Sequence, residues 1–297
     1  MDAIDKVIFC LPEKGRRLLA AFFAGAVNRK KVSEIRLRAN MPSSVTYEER
    51  NISVFGGQEI IFTENDMRSI LARLCEESVH TYGSAMNEGY ITLSGGLRVG
   101  VCGKAVSDGA RILNVREVSS LAVRIPQALA GASAEILPLI VKGQRLYSAL
   151  FYALPGVGKT TLIRDIAAKI GAKRRVAVVD SRGEIYMREM FGHTLCDFLD
   201  GYPKGVGIEI ATRTLSPELI VCDEIGEGDA EKIISSQNTG VPLIATVHGA
   251  TLGSLMMRPG VKKLYEAGVF RYYIGVSRPA GSQKYSFEVK DTAGVNV

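Results

Sequence analysis

The second half of the chain alternates between two spacings of its apolar residues. Short continuous apolar runs are typical of strands that are buried on both faces. The segment Thr161–Ile170, which follows the first such run, instead places apolar residues at helical spacing. This alternation predicts an α/β domain built on a parallel sheet. The predicted strands are Leu146–Ala153, Val176–Val179, Leu219–Cys222, Val241–Val247 and Tyr272–Val276.

The first half mixes short alternating segments with amphipathic helices, which favours a smaller α+β domain. Met1–Val27 combines charged and apolar residues, as an amphipathic helical segment does and a signal peptide does not. Another helix is predicted to begin at Thr63, because Asp66 can complete a capping box with it. The remaining predictions are strands at Glu34–Arg38 and Ser119–Ile125 and a hairpin at Tyr90–Cys102 that turns at Ser94–Gly96.

Length and composition agree with two globular domains, predicted at residues 1–136 and 146–297 with a linker at about 137–145. The chain has 297 residues, of which 46% are hydrophobic and 23% are charged. No apolar run approaches the length of a transmembrane helix. The five cysteines lie far apart without a C-x-x-C pair, which favours a reducing, cytoplasmic compartment over a zinc site or a disulfide framework.

The net charge of +6 leaves two interpretations of the basic residues. The clusters Lys14–Arg17, Arg29–Lys31 and Lys173–Arg175 could bind nucleic acid or an anionic membrane surface. They are not interleaved with aromatic residues, as a stacking platform for nucleic acid would be, and the chain has no tryptophan. We therefore favour solvated surfaces over a nucleic-acid interface.

One segment carries the phosphate-binding pattern G-x-x-x-x-G-K-[ST] with a single departure. Ala153 stands where the first glycine belongs, and its methyl group is tolerable if the residue keeps a negative φ. Gly156 and Gly158 let the backbone turn and direct its N–H groups at phosphates. Lys159 would pair with the β- and γ-phosphates, and the Thr160 hydroxyl would bind Mg²⁺. The residues predicted to bind ATP are Leu154, Pro155, Gly156, Val157, Gly158, Lys159, Thr160 and Thr161.

A stretch of the Walker B form occurs at Leu219–Glu224, where four apolar residues precede two acids. A buried strand would deliver both carboxylates to its carboxyl end, beside the P-loop. Asp223 would hold Mg²⁺ through water, and Glu224 would orient and polarise the attacking water. The two adjacent acids favour hydrolysis over phosphoryl transfer to a small molecule.

Two further strands end in polar residues that could reach the same crevice. Asp180 follows Val176–Val179, and Glu184 lies four residues later. Glu184 could position water or Mg²⁺, or Asp180 or Ser181 could be the N-cap of a helix, and both interpretations stay open. His248 follows Val241–Val247, where a side chain can sense the γ-phosphate, so we predict a sensor role for it.

Together these motifs resemble the stage III sporulation protein AA family, which is related to the ATPases of type II and type IV secretion and of pilus retraction. The resemblance covers nearly the whole chain, and Ala153 is a departure from its pattern. The matching segments are the P-loop, Asp180 with Glu184, Asp200–Lys204, Arg213–Pro217, Asp223–Gly226, Thr246–His248 and Gly268–Arg278, preceded by Glu34–Arg38, Gly89–Lys104 and Ser119–Ile125.

The resemblance implies a RecA-like P-loop core with a smaller N-terminal domain, assembled as a homo-oligomeric ring that we expect to be a hexamer. ATP would lie between the two domains and near a neighbouring subunit. Arg98 and Arg124 lie in the matching segments and are candidate arginine fingers, with strand-edge ion pairing as the alternative. The expected partners are integral membrane proteins of a sporulation secretion-like complex, which would hold this cytoplasmic protein at the inner face of a membrane.

The leading hypothesis is an ATP-hydrolysing motor subunit that acts in endospore formation. One alternative is a nucleic-acid-dependent ATPase that uses the basic clusters. Another is a nucleotide-binding structural ring in which hydrolysis is incidental. A GTPase is disfavoured because the chain lacks an N-K-x-D motif, and a small-molecule kinase because no lid segment is apparent.

Overall fold

The chain divides into two compact units, Met1–Ala128 and Leu129–Val297. The segment 137–145, which the sequence predicts to be a linker, lies in the second unit and contains the short helix Leu137–Ile140. Ile140 is fully buried in the core of that unit, although residues 142–145 are exposed, so the segment is part of the second unit and does not join two domains. The computed structural model describes residues 2–25, 27–76, 89–93, 96–109, 112–126, 131–237, 239–279 and 284–292.

An antiparallel sheet forms the centre of the first unit. Its described strands are β1 (Val32–Arg38), β2 (Ser44–Tyr47), β3 (Arg50–Ile52), β6 (Tyr90–Leu93), β7 (Leu97–Ser107) and β8 (Ile112–Arg124), with β4 (Val54–Phe55) and β5 (Gln58–Glu59) as a separate hairpin. The order in the sheet is β3-β2-β1-β8-β7-β6. Strands β1, β6, β7 and β8 confirm the strands and the hairpin predicted for this half, although Ser94 and Gly95 of the predicted turn lie outside the described residues.

Helices pack with this sheet around one apolar core. The start of the third helix is confirmed at Thr63, whose hydroxyl accepts a hydrogen bond from the Asp66 N–H at 3.1 Å while the Asp66 carboxylate accepts one from the Thr63 N–H at 2.9 Å. The amphipathic segment predicted at the N terminus forms the first two helices. Within the described residues, the α-helices of this unit are Ala3–Cys10, Glu13–Ala24 and Glu64–Leu74.

The second unit contains a mainly parallel sheet. Its described strands are β11 (Ala149–Ala153), β12 (Val176–Asp180), β13 (Cys196–Asp200), β14 (Leu219–Cys222), β15 (Leu243–His248), β16 (Tyr272–Ser277) and β17 (Ser286–Asp291). They lie in the order β13-β12-β14-β15-β11-β16-β17, and only the pairing of β17 with β16 is antiparallel among them. Every strand predicted for this half is present, within a few residues at each end.

Three features of this sheet differ from the sequence prediction. The strand predicted to begin at Leu146 begins at Ala149, because β10 (Arg145–Leu146) pairs instead with β9 (Val141–Lys142) in a small hairpin. Strands β13 and β17 were not predicted. Both lie at the edges of the sheet. Polar residues interrupt β13 at Asp197 and alternate with apolar ones along β17, so both strands lack the continuous apolar run that marks the interior strands.

Helices cover both faces of the parallel sheet. Alternate residues of β11 point to opposite sides, so that Phe151 joins one apolar cluster and Tyr152 the other. Because the interior strands are parallel, the loops that follow them lie at the same edge of the sheet. No helix among the described residues is long and apolar enough to cross a membrane. The described α-helices of this unit are Leu137–Ile140, Lys159–Gly171, Arg188–Phe191, Lys204–Thr214, Ala230–Gln237, Leu252–Met256 and Pro259–Glu266.

Candidate functional site

The register of the parallel strands places the predicted site residues of the second unit at the same end of the sheet. Ala153 at the end of β11 lies opposite His248 at the end of β15. Cys222, which ends β14, lies opposite Ala245 in β15 and Val179 in β12. The residues that directly follow these positions therefore meet at the carboxyl edge of the sheet, where a doubly wound fold binds its ligands.

The loop after β11 has the backbone geometry of an anion site. Gly156 and Gly158 have φ of 79° and 107°, in the left-handed region that favours glycine. Gly158 is the N-cap of the helix Lys159–Gly171 and supplies no side-chain hydrogen bond to it. The N–H groups of the first helical turn therefore have no side-chain cap, and together with the positive end of the helix dipole they suit a phosphate.

Ala153 fits this loop without strain. It is the last residue of β11, so its backbone is extended and needs no glycine. Its carbonyl accepts hydrogen bonds from the Lys159 ammonium at 3.0 Å and from the Gly249 N–H at 3.1 Å. The departure from the P-loop pattern thus falls on a residue that acts through its carbonyl.

Lys159 is buried and bound to neutral groups. In addition to the Ala153 carbonyl, its Nζ lies 3.4 Å from the Leu154 carbonyl and 2.8 Å from Nδ1 of His248. Burial lowers the pKa of the Lys159 ammonium, and the nearby carboxylate of Glu224 partly opposes that shift. The ammonium is thus held in a dry position from which a phosphate, a stronger acceptor than a carbonyl, can draw it.

His248 connects Lys159 to the second Walker B acid. Its Nε2 lies 3.0 Å from Oε2 of Glu224, on the opposite side of the ring from Lys159. Because an ammonium can only donate, Nδ1 is the acceptor and Nε2 carries the proton that is donated to Glu224. The guanidinium of Arg182 lies 3.5 Å from the same Glu224 oxygen. Glu224 is therefore oriented from two directions.

Asp223 is the more buried of the two Walker B acids. Its Oδ1 lies 3.4 Å from the ammonium of Lys204 and accepts a hydrogen bond from the Ser181 hydroxyl at 3.4 Å. Burial raises the pKa of Asp223 to about 6, although Lys204 opposes the shift and Asp180 adds to it. The Lys204 ammonium also donates a hydrogen bond to the backbone carbonyl of Glu224. Lys204 thus holds both Walker B residues.

Asp180 stabilises the loop that follows β12. Its carboxylate accepts hydrogen bonds from the backbone N–H groups of Glu184 at 3.0 Å and Ile185 at 2.6 Å. The buried guanidinium of Arg164 donates to the carbonyls of the same two residues. The helix N-cap predicted at Asp180 or Ser181 is wrong, because the next helix begins at Arg188 with Met187 as its N-cap, and Asp180 stabilises a loop instead. A role for the Glu184 carboxylate stays a prediction.

The donor set of this edge suits Mg²⁺ that is shared with a nucleotide. Among the residues that the structure describes, no group of three or more His, Cys, Asp or Glu side chains could hold a metal by itself. Mg²⁺ takes hard oxygen ligands, keeps several waters and is usually bound by one or two protein groups plus substrate phosphates. The Asp223 carboxylate and the Thr160 hydroxyl, in the first turn of the helix after the P-loop, are donors of that kind.

The candidate arginine fingers are neighbours in the first unit. Arg98 in β7 lies directly opposite Arg124 in β8, so both project from the same face of the sheet. The Arg98 guanidinium stacks over the ring of Tyr90, with 3.8 Å between its central carbon and the ring centroid. Arg124 also lies opposite Glu34 in β1 and lines a concavity of about 450 Å³ whose wall includes Arg36. The structure thus brings the two candidates together.

Sequence reasoning assigned no role to two cations of this site, Arg182 and Lys204. Lys204 ends the Asp200–Lys204 segment of the resemblance, which was the one signal that could have found it. Arg182 lies in the loop between Asp180 and Glu184, for which roles were predicted only for the acidic residues. A lysine or arginine in a loop has no periodicity that reveals its partner, so only the fold identifies their contacts.

Comparison with known proteins gives the fold and the family. The pilus retraction motor PilT, solved with bound ADP, superposes with a TM-score of 0.66 at 16% identity, over 93% of this chain and 82% of that one. The Legionella pneumophila ATPase DotB superposes with a TM-score of 0.65 at 13% identity, over 95% of this chain and 82% of that one. The fold is therefore that of a RecA-like P-loop core with a smaller α+β N-terminal domain.

Sequence similarity extends over almost the whole chain. Stage III sporulation protein AA of Bacillus subtilis (strain 168) is 31% identical over 264 residues, which are 84% of this chain and 84% of that protein. The family described as "Sporulation stage III, protein AA" matches residues 3–288. With its fold, its motifs and both similarities in agreement, the chain belongs to the stage III sporulation protein AA family.

Proposed function

We propose that this protein is an ATP-hydrolysing motor subunit of a secretion-like complex that endospore formation requires. The observation that carries the proposal is the chain of contacts from Lys159 through His248 to Glu224. A phosphate-binding lysine and an oriented carboxylate joined by one imidazole are the parts that hydrolysis of a terminal phosphate needs.

Each residue of the site has a specific task in this proposal. The uncapped N–H groups after Gly158 bind the phosphates, and Lys159 leaves the Ala153 carbonyl to neutralise the γ-phosphate. Asp223 and Thr160 would hold Mg²⁺, which would supply neutralisation of phosphate charge. Glu224 then accepts hydrogen bonds from the attacking water and draws its proton away.

His248 is the γ-phosphate sensor of this proposal. Its two ring nitrogens are both engaged, one by Lys159 and one by Glu224. When Lys159 turns to the phosphate, Nδ1 loses its donor and the ring becomes free to reorient. The position of the Glu224 carboxylate would then depend on whether a γ-phosphate is present, which is how a motor couples chemistry to movement.

The assembly and location also belong to the proposal. The fold shared with PilT and DotB supports a homo-oligomeric ring, for which we propose six subunits. Arg98 and Arg124 would act on the nucleotide of a neighbouring subunit. We further propose a cytoplasmic protein on the mother-cell side of the forespore envelope, held at the membrane by integral membrane partners of the same complex.

Hydrolysis is tested by Glu224→Gln. The amide keeps the size of the side chain and removes the base, so we expect ATP to bind with little change and the hydrolysis rate to fall by about 10²-fold or more. Glu231→Gln is the matched control, because Glu231 is an exposed glutamate of the same unit whose carboxylate pairs with Lys263. Hydrolysis by Glu224→Gln at the wild-type rate would contradict the proposal.

Ring assembly is tested by measuring the mass of the particle with and without ATP, for the wild type and for Glu224→Gln. The variant should accumulate as a ring when ATP is present, because it binds the nucleotide and does not turn it over. A monomer under all four conditions would contradict the assembly while leaving the hydrolysis experiment to decide the chemistry.

A further inference from the structure

Lys204 is in an unusual electrostatic position. It is the first residue of the helix Lys204–Thr214, after the N-cap Pro203. The side chain of Lys204 is only 12% exposed, and that of its partner Asp223 is 6% exposed. A cation at the first position of a helix faces the positive end of the helix dipole, and a buried cation also loses its hydration.

The contacts of Lys204 explain how the fold accommodates this charge. Its ammonium lies 3.4 Å from Oδ1 of Asp223 and donates a hydrogen bond to the Glu224 carbonyl. The N–H of Gly205, the next residue, is bound by the Asp229 carboxylate at 3.2 Å, which supplies a negative charge to the same helix end. Lysine is disfavoured at the start of a helix, and here residues of the Walker B pair hold it in place. We therefore expect Lys204 to act in the same site.

We propose that Lys204 is a built-in counter-cation of the nucleotide-free site, which neutralises Asp223 until Mg²⁺ arrives and must then release it. The inference rests on the proposed function, because it assigns Asp223 to Mg²⁺. It makes Lys204 a positioning residue, which acts on the nucleotide through Asp223 and the Glu224 backbone.

The arrangement of donors around Asp223 supports the exchange. Its Oδ1 is engaged by Lys204 and by the Ser181 hydroxyl, so a hydrated cation that uses this carboxylate meets an occupied oxygen. Two cations near one buried carboxylate repel each other strongly where water is scarce. Binding of Mg²⁺ is therefore expected to displace the Lys204 ammonium from Asp223.

Lys204 and Mg²⁺ should therefore compete for the Asp223 carboxylate, and this competition can be measured. With Lys204 present, part of the binding free energy of Mg²⁺ is spent on breaking the contact between Lys204 and Asp223. Without Lys204, the nucleotide-free protein carries a buried carboxylate that lacks its counter-charge, and Mg²⁺ binding relieves it. The advantage that Mg²⁺ confers on nucleotide binding should therefore be larger in a variant that lacks the ammonium.

The test measures ATPγS affinity in excess Mg²⁺ and in EDTA for the wild type, Lys204→Met and Lys204→Arg. Work at about pH 8, above the ordinary range of carboxyl groups, keeps Asp223 ionised. We expect the ratio of the two affinities to rise several-fold in Lys204→Met and to stay near the wild-type value in Lys204→Arg. The melting temperature of nucleotide-free Lys204→Met should be lower than that of the wild type, and Mg²⁺ with ATPγS should restore most of the loss.

The chain offers a matched control in Lys169. Its ammonium lies 3.0 Å from Oδ2 of Asp165, another aspartate whose side chain is buried, at 3% exposure. Lys169→Met removes a counter-charge of the same kind from a carboxylate to which the proposal gives no nucleotide contact. It should lower the melting temperature as well, but the ratio of affinities with and without Mg²⁺ should equal that of the wild type.

The outcomes separate this inference from the proposed function. A ratio in Lys204→Met that equals the wild-type ratio, or falls below it, overturns the counter-cation role. Loss of ATPγS binding by Lys204→Met in EDTA also overturns it, because Lys204 would then be a phosphate ligand. A wild-type protein that shows no Mg²⁺-dependent ATPγS binding contradicts the proposed function itself.

Discussion

The ammonium of Lys159 lies 2.8 Å from Nδ1 of His248, and the two residues reach this contact from different elements. Lys159 begins the helix after the P-loop, whereas His248 ends β15. The register of β11 with β15 explains the contact, because Ala153 and His248 lie opposite each other. The lysine that would bind phosphate and the side chain that would report on it are therefore in direct contact before any nucleotide binds.

Replacement of His248 should separate nucleotide binding from hydrolysis. In His248→Ala, the loop after Gly158 is intact, so the affinity for ATP should change little. The hydrolysis rate should fall on the order of 10²-fold, because Glu224 loses one of the two groups that orient it. Steady-state hydrolysis together with equilibrium ATP binding measures both quantities.

His193→Ala is the control for that experiment, because His193 is an exposed histidine of the same unit. It should leave both quantities unchanged. If His248→Ala weakens ATP binding as strongly as it slows hydrolysis, then the ring positions Lys159 rather than Glu224, and the sensor role is wrong.

Asp223→Asn should remove a pH dependence of stability that the wild type shows between about pH 4 and about pH 6. Burial raises the pKa of Asp223 to about 6, so between about pH 4 and about pH 6 the folded protein binds a proton that the unfolded chain releases. Above that window, the ionised carboxylate costs the fold at most about 3 kcal/mol. The free energy of unfolding of the wild type should therefore rise relative to that of Asp223→Asn as the pH falls from about 6 to about 4, which denaturant titrations at several pH values measure.

Asp165→Asn should show the opposite sign. Burial raises the pKa of Asp165, but hydrogen bonds from Ser133, Gly131 and Lys169 outweigh it, so the pKa lies below its ordinary value. The ionised Asp165 therefore stabilises the fold above its unfolded-state pKa, and the contribution is lost as the pH falls through the lowered value. The variant should be less stable than the wild type at neutral pH. Equal pH profiles for the two aspartate variants would contradict both assignments.

Two substitutions in the P-loop should have contrasting effects. Ala153→Gly restores the usual pattern, but Ala153 already has an extended backbone, so ATP affinity should not change. The extra backbone freedom should lower stability by about 0.5–1 kcal/mol. Gly158→Ala places a methyl group at φ 107° and 2.4 Å from the hydroxyl oxygen of Tyr285. We expect it to lose about 1–3 kcal/mol of stability and most of its ATP affinity.

Calorimetric ATP titrations and thermal unfolding of both P-loop variants check this contrast. A clear gain in ATP affinity for Ala153→Gly would show that the missing glycine matters. Normal affinity in Gly158→Ala would show that the loop tolerates a side chain where its φ is positive.

Mixed rings should show whether Arg124 acts on a neighbouring subunit. Arg124→Ala and Lys159→Ala should each be inactive alone. If the arginine acts in trans, a mixture contains interfaces with an intact P-loop from one subunit and an intact arginine from the next. Random mixing should then restore about a quarter of the wild-type hydrolysis rate. The same experiment with Arg98→Ala tests the neighbouring candidate.

The control mixture is Lys159→Ala with Glu224→Gln, since both residues lie in the same unit and the same site. No interface in that mixture has all parts of one site, so the hydrolysis rate should stay at background. An inactive mixture of Arg124→Ala with Lys159→Ala would leave Arg124 with a role inside its own subunit.

The interior of the fold could be predicted from the chain because its signals are local. Strand β14 was predicted with the bounds observed, since four apolar residues between polar neighbours are typical of a buried strand. The helix start at Thr63 followed from the spacing of two capping residues. The edge strands β13 and β17 were missed because polar residues interrupt their short apolar stretches, so neither has the continuous apolar run of a buried strand.

The sequence by itself determined which motifs the chain carries, because the P-loop is one continuous run of residues and the Walker B stretch is another. It could not determine which charged side chains contact one another. Lys159 contacts His248 across 89 positions of the chain, and Lys204 contacts Asp223 through a helix start that local preferences disfavour. Such contacts depend on strand order and register, which arise from the packing of the whole sheet, so only the tertiary structure decided which cation meets which acid.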